Sequence, residues 1–198
     1  MTEMTYGNRR ADHEIWEYFL RRWSPRSFLE TPVPEEELLA LFEAARWAPS
    51  ANNLQPWRFI LARTPEDVAK FHSFISESNL VWAKKAPAIA AVLSRRIHEE
   101  RGPIRTHAFD TGAAWGFFAL EAARRGIATH PIGGFDRDKA REVLRVPDDY
   151  DIWALIIIGY RGDRDALPEA LRPREQPNAR RPIESFVFEG AFGEALKR

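Results

Sequence analysis

Apolar positions along the chain fall into helical and strand-like runs that alternate. Between Glu14 and Trp23, Ile15, Phe19 and Leu20 share a helical face, and the run must stop before Pro25 because proline disfavours helical geometry in its predecessor. Pro34 suits a first helical position and Glu35, Glu36 and Glu37 favour the positive end of a helix dipole, so a second helix is predicted with Leu38, Leu41, Phe42 and Ala45 on its apolar face. It ends by Ala48. Two prolines and two asparagines in the eight residues from Pro49 to Pro56 make that stretch a loop. Trp57 to Ala62 reads as a strand, Glu66 to Glu77 as a helix, and Ala88 to Ser94 as a strand apolar on both faces and therefore buried.

Thr106 to Arg125 is helical in length but apolar nearly all round, which predicts burial on all sides. Gly112 and Gly116, four apart, clear one stripe of side chains so that another backbone can approach, and Gly126 sits where a helix C-cap belongs. In so short a chain a partner subunit can supply that backbone; a central helix of a monomer is the alternative. Thr129 to Asp136 holds a Gly-Gly turn, Asp138 to Leu144 a short helix, and Trp153 to Gly159 a buried strand. From Arg161 to Pro182 the chain is charged and proline-rich without periodicity, an extended arm, with Ser185 to Phe188 as a strand at its end. The alternation gives a mixed α and β class, in one domain without repeats or linker.

Composition narrows the chemistry. With 198 residues, 44% apolar and 29% charged, the chain has the size of one domain with a substantial core. Its 29 basic and 29 acidic residues cancel, so no overall field draws it to nucleic acid or to a membrane. The lack of cysteine excludes disulfides, thiolate catalysis and Cys-ligated metals. His13, His72, His98, His107 and His130 show no metal-ligand spacing, and no metal is expected. Met1 to Asp12 is polar and no run of about 18 apolar residues follows, so a cytoplasmic protein is expected. There is no G-x-S-x-G elbow. Redox chemistry would fall to an organic cofactor.

Three segments carry candidate chemistry. Arg22-Trp23-Ser24-Pro25-Arg26 sets two guanidinium groups and a hydroxyl in a turn that can hold a phosphate, or can simply be a solvated basic turn. Asn52, Asn53 and Gln55 place amides between rigid prolines; such groups complement the edge of a ring such as a flavin pyrimidine, and equally serve ordinary turns. Pro131-Ile132-Gly133-Gly134-Phe135-Asp136 lets backbone come close to a planar ligand. Neither a dinucleotide fingerprint nor a Walker A loop is present.

Taken in this order the segments resemble the nitroreductase family of flavoproteins. Arg22 to Phe28 matches the family's R-R-S-x-R-x-F; Pro32, Val33, Glu36, Leu38 and Leu41 match P-V-x-x-E-x-L-x-x-L; Ala48 to Trp57 matches A-P-S-x-x-N-x-Q-P-W. The resemblance implies an α+β, three-layer α/β/α fold around a central mixed, mainly antiparallel sheet. It implies one domain over residues 1–198, in an intertwined homodimer whose arm, about residues 161–198, embraces the partner. By the same resemblance Arg22, Ser24 and Arg26 hold the FMN phosphate together with Arg180 or Arg181, and Trp23 is among the cofactor-binding residues. Pro49, Ser50, Ala51 and Asn53 approach that flavin from the other subunit, supported by Gln55. Asn79 lies near the pyrimidine end, and Pro131, Ile132, Gly133 and Gly134 line the ring, the glycines on its N5 side. Trp23 and Asn178 stand where further basic residues are common, and Trp82 where some members have a lysine near the acceptor pocket. The implied activity is a ping-pong transfer of hydride from NADH or NADPH through bound FMN to a nitroaromatic or quinone, with no side chain obliged to act as acid or base. The alternatives are a flavin-dependent dehydrogenase or specialised reductase of an unsaturated metabolite, and a non-catalytic FMN-storage protein. Expected partners are a second copy and a small-molecule acceptor, with neither nucleic acid nor membrane.

Overall fold

A computed structural model describes residues 5–197; residues 1–4 of the polar opening segment and residue 198 at the end of the arm lie outside it. A short antiparallel pair, β1 (Thr5–Tyr6) and β2 (Arg9–Arg10), precedes α1 (Tyr18–Arg21) and α2 (Glu35–Arg46). Then come β3 (Trp57–Ala62), α3 (Pro65–His72), α4 (Glu77–Ala83), β4 (Ala88–Arg95) and the small pair β5 (Ile97–His98) and β6 (Gly102–Pro103). α5 (His107–Arg124), β7 (Ala128–Ile132), α6 (Arg137–Leu144) and β8 (Tyr150–Gly159) follow. The central sheet has the order β3-β4-β8-β7, with each neighbour antiparallel to the next.

The apolar character of β4 and β8 on both faces is explained by what covers them. Ile89, Ala91, Leu93, Leu155 and Ile157 share a core with Phe71 of α3, Trp82 of α4 and Ala140 of α6. Alternate residues Ala88, Ala90, Val92, Ile156 and Ile158 share a second core with Leu41 of α2 and Phe118 of α5. Side chains alternate across a strand, so one sheet separates two apolar layers, and the three-layer α/β/α arrangement follows. Phe118 is fully buried, with the rings of Phe42, Phe59 and Trp115 about it.

Several elements differ from the sequence expectations. Only Tyr18–Arg21 of the predicted Glu14–Trp23 helix is helical. The helix expected to reach Glu77 stops at His72, because Ile75 pairs with Phe135 and the Ser76 N–H donates to the Gly134 carbonyl; α4 then starts afresh. The arm is not extended throughout: Arg164–Ala166, Glu169–Arg174 and Ile183–Ser185 form 3₁₀ turns. Ser185 to Phe188 is no strand within the chain, since the last of those turns ends at Ser185 and no ladder follows it. Nor is α5 buried on all sides, for Phe109 is 80% exposed and Phe117 and Gly112 are exposed beside it, a bare stripe opposite the sheet.

Candidate functional site

The basic turn is held by the arm. The Leu29 N–H donates to the Tyr160 carbonyl at 2.9 Å, and the Gly162 N–H to the Ser27 carbonyl at 2.8 Å. Gly162 is required there, because a Cβ would stand 2.8 Å from Ser27 Oγ and 3.1 Å from the Phe28 backbone. Glu175, 4% exposed, accepts the N–H of Arg26 at 2.8 Å and of Ser27 at 3.1 Å, so a buried carboxylate of the arm fixes the turn's shape. Nothing in the local sequence pattern singles out Glu175.

Beside the turn lies a cavity of about 160 Å³ bordered by Arg9, Arg22, Arg26, Arg174 and Arg180, with Trp23, Ser24 and His130. Burial lowers the guanidinium pKa of Arg9, Arg22 and Arg26, and neighbouring arginines lower it further: Arg180 for the first two, Arg174 for Arg26, where Glu175 opposes the effect. Arg9 is locked in place by bonds to the carbonyls of Asn178 at 2.8 Å, Leu20 at 2.7 Å and Arg22 at 2.6 Å. Crowded guanidinium forks, of which those of Arg9, Arg22 and Arg26 are wholly or partly withdrawn from water, are a receptor for a multiply charged oxyanion. Of the two arm arginines proposed from the sequence, Arg180 borders this cavity, whereas Arg181 lines, together with Arg180, a separate groove beside Ile15 and Phe19. Arg9 and Arg174 were not foreseen. Trp23 packs under the Arg161 guanidinium, 5.0 Å from its ring centre.

His130 of β7 closes the cavity. Its Nδ1 lies 2.8 Å from the Pro25 carbonyl, which can only accept, so Nδ1 carries the hydrogen. Trp82 packs on the imidazole at 4.6 Å and on Phe28 at 6.2 Å. Trp82 is thus a buried core residue. Burial above all lowers the His130 pKa to about 4; Arg26 and Arg174 act in the same direction, against the carbonyls of Pro25 and Ser24. An unfolded imidazole titrates near its ordinary 6.5. The unfolded chain therefore takes up the proton first, and the stability this group contributes, full above pH 6.5, is lost as pH falls towards 4. The loss by pH 4 is about 3 kcal/mol. Urea unfolding of ligand-free wild type and His130→Asn at pH 7 and pH 4 should show this extra acid sensitivity in the wild type alone; equal sensitivity would contradict it.

β7 is an edge strand, which admits Pro131 without loss of a ladder bond, and it ends at Ile132 just before the paired glycines. Asn79 Nδ2 donates to the Gly134 carbonyl at 3.3 Å and to Ser76 Oγ at 3.2 Å. A Cβ on Gly134 would meet that nitrogen at 2.4 Å, so the contact depends on glycine. Asn79 and the glycine turn, placed on one ligand by the sequence reading, do meet. At about 3.3 Å per residue, the path from His130 to Gly134 spans about 13 Å, with the arginine cavity at one end and the glycine turn at the other.

The proline–amide loop lies elsewhere. Asn52, Asn53 and Gln55 have φ of 49°, 56° and 46°, left-handed conformations that cost non-glycine residues and cluster at binding sites. Gln55 steadies the loop as expected: its N–H donates to Ser50 Oγ at 3.1 Å and its Nε2 to Asn53 Oδ1 at 3.0 Å. Asp110, buried at the start of α5, accepts the Ala51 N–H at 3.3 Å and the Thr106 hydroxyl at 2.9 Å, a support that sequence reading missed. The loop feeds β3, the edge of the sheet opposite β7. Three strand spacings, about 14 Å, separate those edges. One chain joins the arginine turn to Pro131–Gly134 and Asn79, but not to Pro49–Gln55.

The model of the Nitroreductase family matches residues 20–84 and 74–160. A crystal structure described as an oxidoreductase containing FMN superposes with a TM-score of 0.92 at 41% identity, covering 98% of this chain and 100% of that one. A nitroreductase family protein from Clostridium difficile 630 shares the fold, with a TM-score of 0.71 at 22% identity over 90% of this chain and 99% of that one. Among curated proteins, a putative NADH dehydrogenase/NAD(P)H nitroreductase of Streptomyces coelicolor is 32% identical over 68% of this chain and 76% of its own length. An NADH dehydrogenase of Thermus thermophilus is 29% identical over 79% and 91%.

Proposed function

The chain belongs to the nitroreductase family, and from that premise we propose that it is an FMN-dependent oxidoreductase taking hydride from NADH or NADPH and passing it to a small oxidised acceptor such as a nitroaromatic or quinone. The observation that carries this reading is the arginine cavity joined along one strand edge to the glycine turn. The donor set fits a phosphate monoester: five guanidinium groups and the Ser24 hydroxyl surround a small space, while the nearby Glu175 carboxylate is spent on backbone N–H groups. Arg22, Ser24, Arg26 and Arg180 would hold the phosphate, with Trp23 bordering the same cavity. Pro131, Ile132, Gly133, Gly134 and Asn79 would border the ring.

When bound, FMN supplies the two-electron carrier that the side chains themselves lack. The chain's part is to position it. The guanidinium cavity fixes one end, the glycine turn permits close approach of backbone at the other, and neither must reorganise during the reaction. Pro49, Ser50, Ala51, Asn53 and Gln55 would reach the same flavin from a second subunit, because in their own chain they sit at the opposite sheet edge. The exposed stripe of Phe109, Gly112 and Phe117 on α5 supports such a homodimer. One pocket serving donor and acceptor in turn gives a ping-pong cycle. Among the described residues no helix is long and apolar enough to cross a membrane and no metal-ligating cluster occurs; a nicotinamide donor suits the expected cytoplasmic location.

Anaerobic titration of the purified protein with NADH and with NADPH tests the reading. The visible flavin band should bleach with at least one of them and return on addition of a quinone or nitroaromatic. A yellow protein that neither nicotinamide bleaches would be an FMN-storage protein instead.

A further inference from the structure

We propose that His130 is a proton-linked member of the phosphate site: its imidazole takes up a proton from solvent when a phosphate group enters the arginine cavity and gives it up when the phosphate leaves. This rests on the reading of that cavity as an FMN phosphate site. His130 borders the same cavity as Arg22, Arg26, Arg174 and Arg180. Its Nδ1–H is committed to the Pro25 carbonyl at 2.8 Å, which leaves the Nε2 lone pair as the position that titrates. Every element packed against the ring favours neutrality or is indifferent to it, apart from the two carbonyls. The turn brings Arg22 and Arg26, β2 brings Arg9, the arm brings Arg174 and Arg180, and α4 brings the apolar Trp82. Glu175 is the nearby acid, and both its oxygens are held by the N–H groups of Arg26 and Ser27.

Burial first, and then Arg26 and Arg174, keep the ring uncharged, with a pKa of about 4. A phosphate dianion reverses the local field. It neutralises the arginines that oppose the proton and adds an attraction of its own, and an opposite charge within about 4–6 Å favours the charged form. Thermodynamic linkage then demands the converse: protonation of His130 tightens the grip on phosphate.

The test compares FMN binding to wild type and His130→Asn, followed by quenching of flavin fluorescence from pH 8 to pH 6. The ratio of the two affinities cancels the titration of the phosphate itself. It should rise at least about twofold in favour of wild type as pH falls if the imidazole of the complex titrates at about pH 6, and about fourfold if it titrates near pH 6.5. In parallel, the His130 imidazole resonance, assigned by its absence from the variant, should titrate at least two pH units higher with FMN than without it. Riboflavin, which lacks the phosphate, should leave it unmoved. A purely structural role would lower affinity by the same factor at every pH, and a flat ratio with an unmoved resonance overturns the proposal while leaving the phosphate site standing. Riboflavin shifting the resonance as far as FMN overturns the phosphate link. Failure of the wild type to bind FMN at all overturns both readings.

Discussion

Arg26→Ala should weaken FMN retention by about tenfold to a hundredfold, the loss of roughly 1.5–3 kcal/mol that a hydrogen bond to a charged group contributes, while leaving the FMN-free chain no less stable. The two halves of this expectation have one cause. In the free chain the Arg26 guanidinium is disfavoured by burial and by Arg174, and its bond to the Arg174 carbonyl is long, 3.4 Å. Removing it relieves burial and cation repulsion that the Glu175 carboxylate offsets only in part. Flavin titration and thermal unfolding of the same preparation read the two quantities separately. Unchanged FMN affinity together with a lower unfolding midpoint would make Arg26 a structural residue and remove the phosphate from this cavity.

Glu175→Leu should act in the opposite sense, destabilising the chain by about 3 kcal/mol and loosening the arm from the basic turn. The carboxylate is 4% exposed and each oxygen accepts one backbone N–H. Leucine fills a similar volume but leaves both N–H groups buried without partners, at about 1–3 kcal/mol each. Arg26 would also lose the carboxylate that favours its charge. Glu175→Gln keeps one acceptor and should lose about half as much. Because Arg174 and Arg180 belong to the same arm, FMN affinity should fall along with stability. Denaturant unfolding that places Glu175→Leu within about 0.5 kcal/mol of wild type would show that the arm docks by other means.

The apolar period and the prolines made much of the architecture legible. Trp57–Ala62 is a strand at its predicted bounds, and α2, β4, α5, α6 and β8 stand within a few residues of theirs. These signals act over one or two turns of chain. α4 was not legible, because the break at Ser73–Ser76 comes from Ile75 and Ser76 engaging Phe135 and Gly134, far along the chain. The basic turn, the amide loop and the glycine turn could each be recognised from local composition. Their real supports could not: Glu175 is 149 residues from Arg26, and Asp110 is 59 from Ala51. The burial of Trp82 was not legible either, because residue type does not say which face of α4 is covered.

By itself, then, the sequence determined the long helices and the core strands, and which turns carry arginine, amide or glycine, since sterics and hydrophobic period depend on near neighbours. Only the tertiary structure decided that Arg9, Arg174 and Arg180 join Arg22 and Arg26 around His130, and that the amide loop lies across the sheet from them. The reason is physical: charge density and burial are properties of a volume, and that volume is assembled from residues whose separation along the chain carries no information about their separation in space.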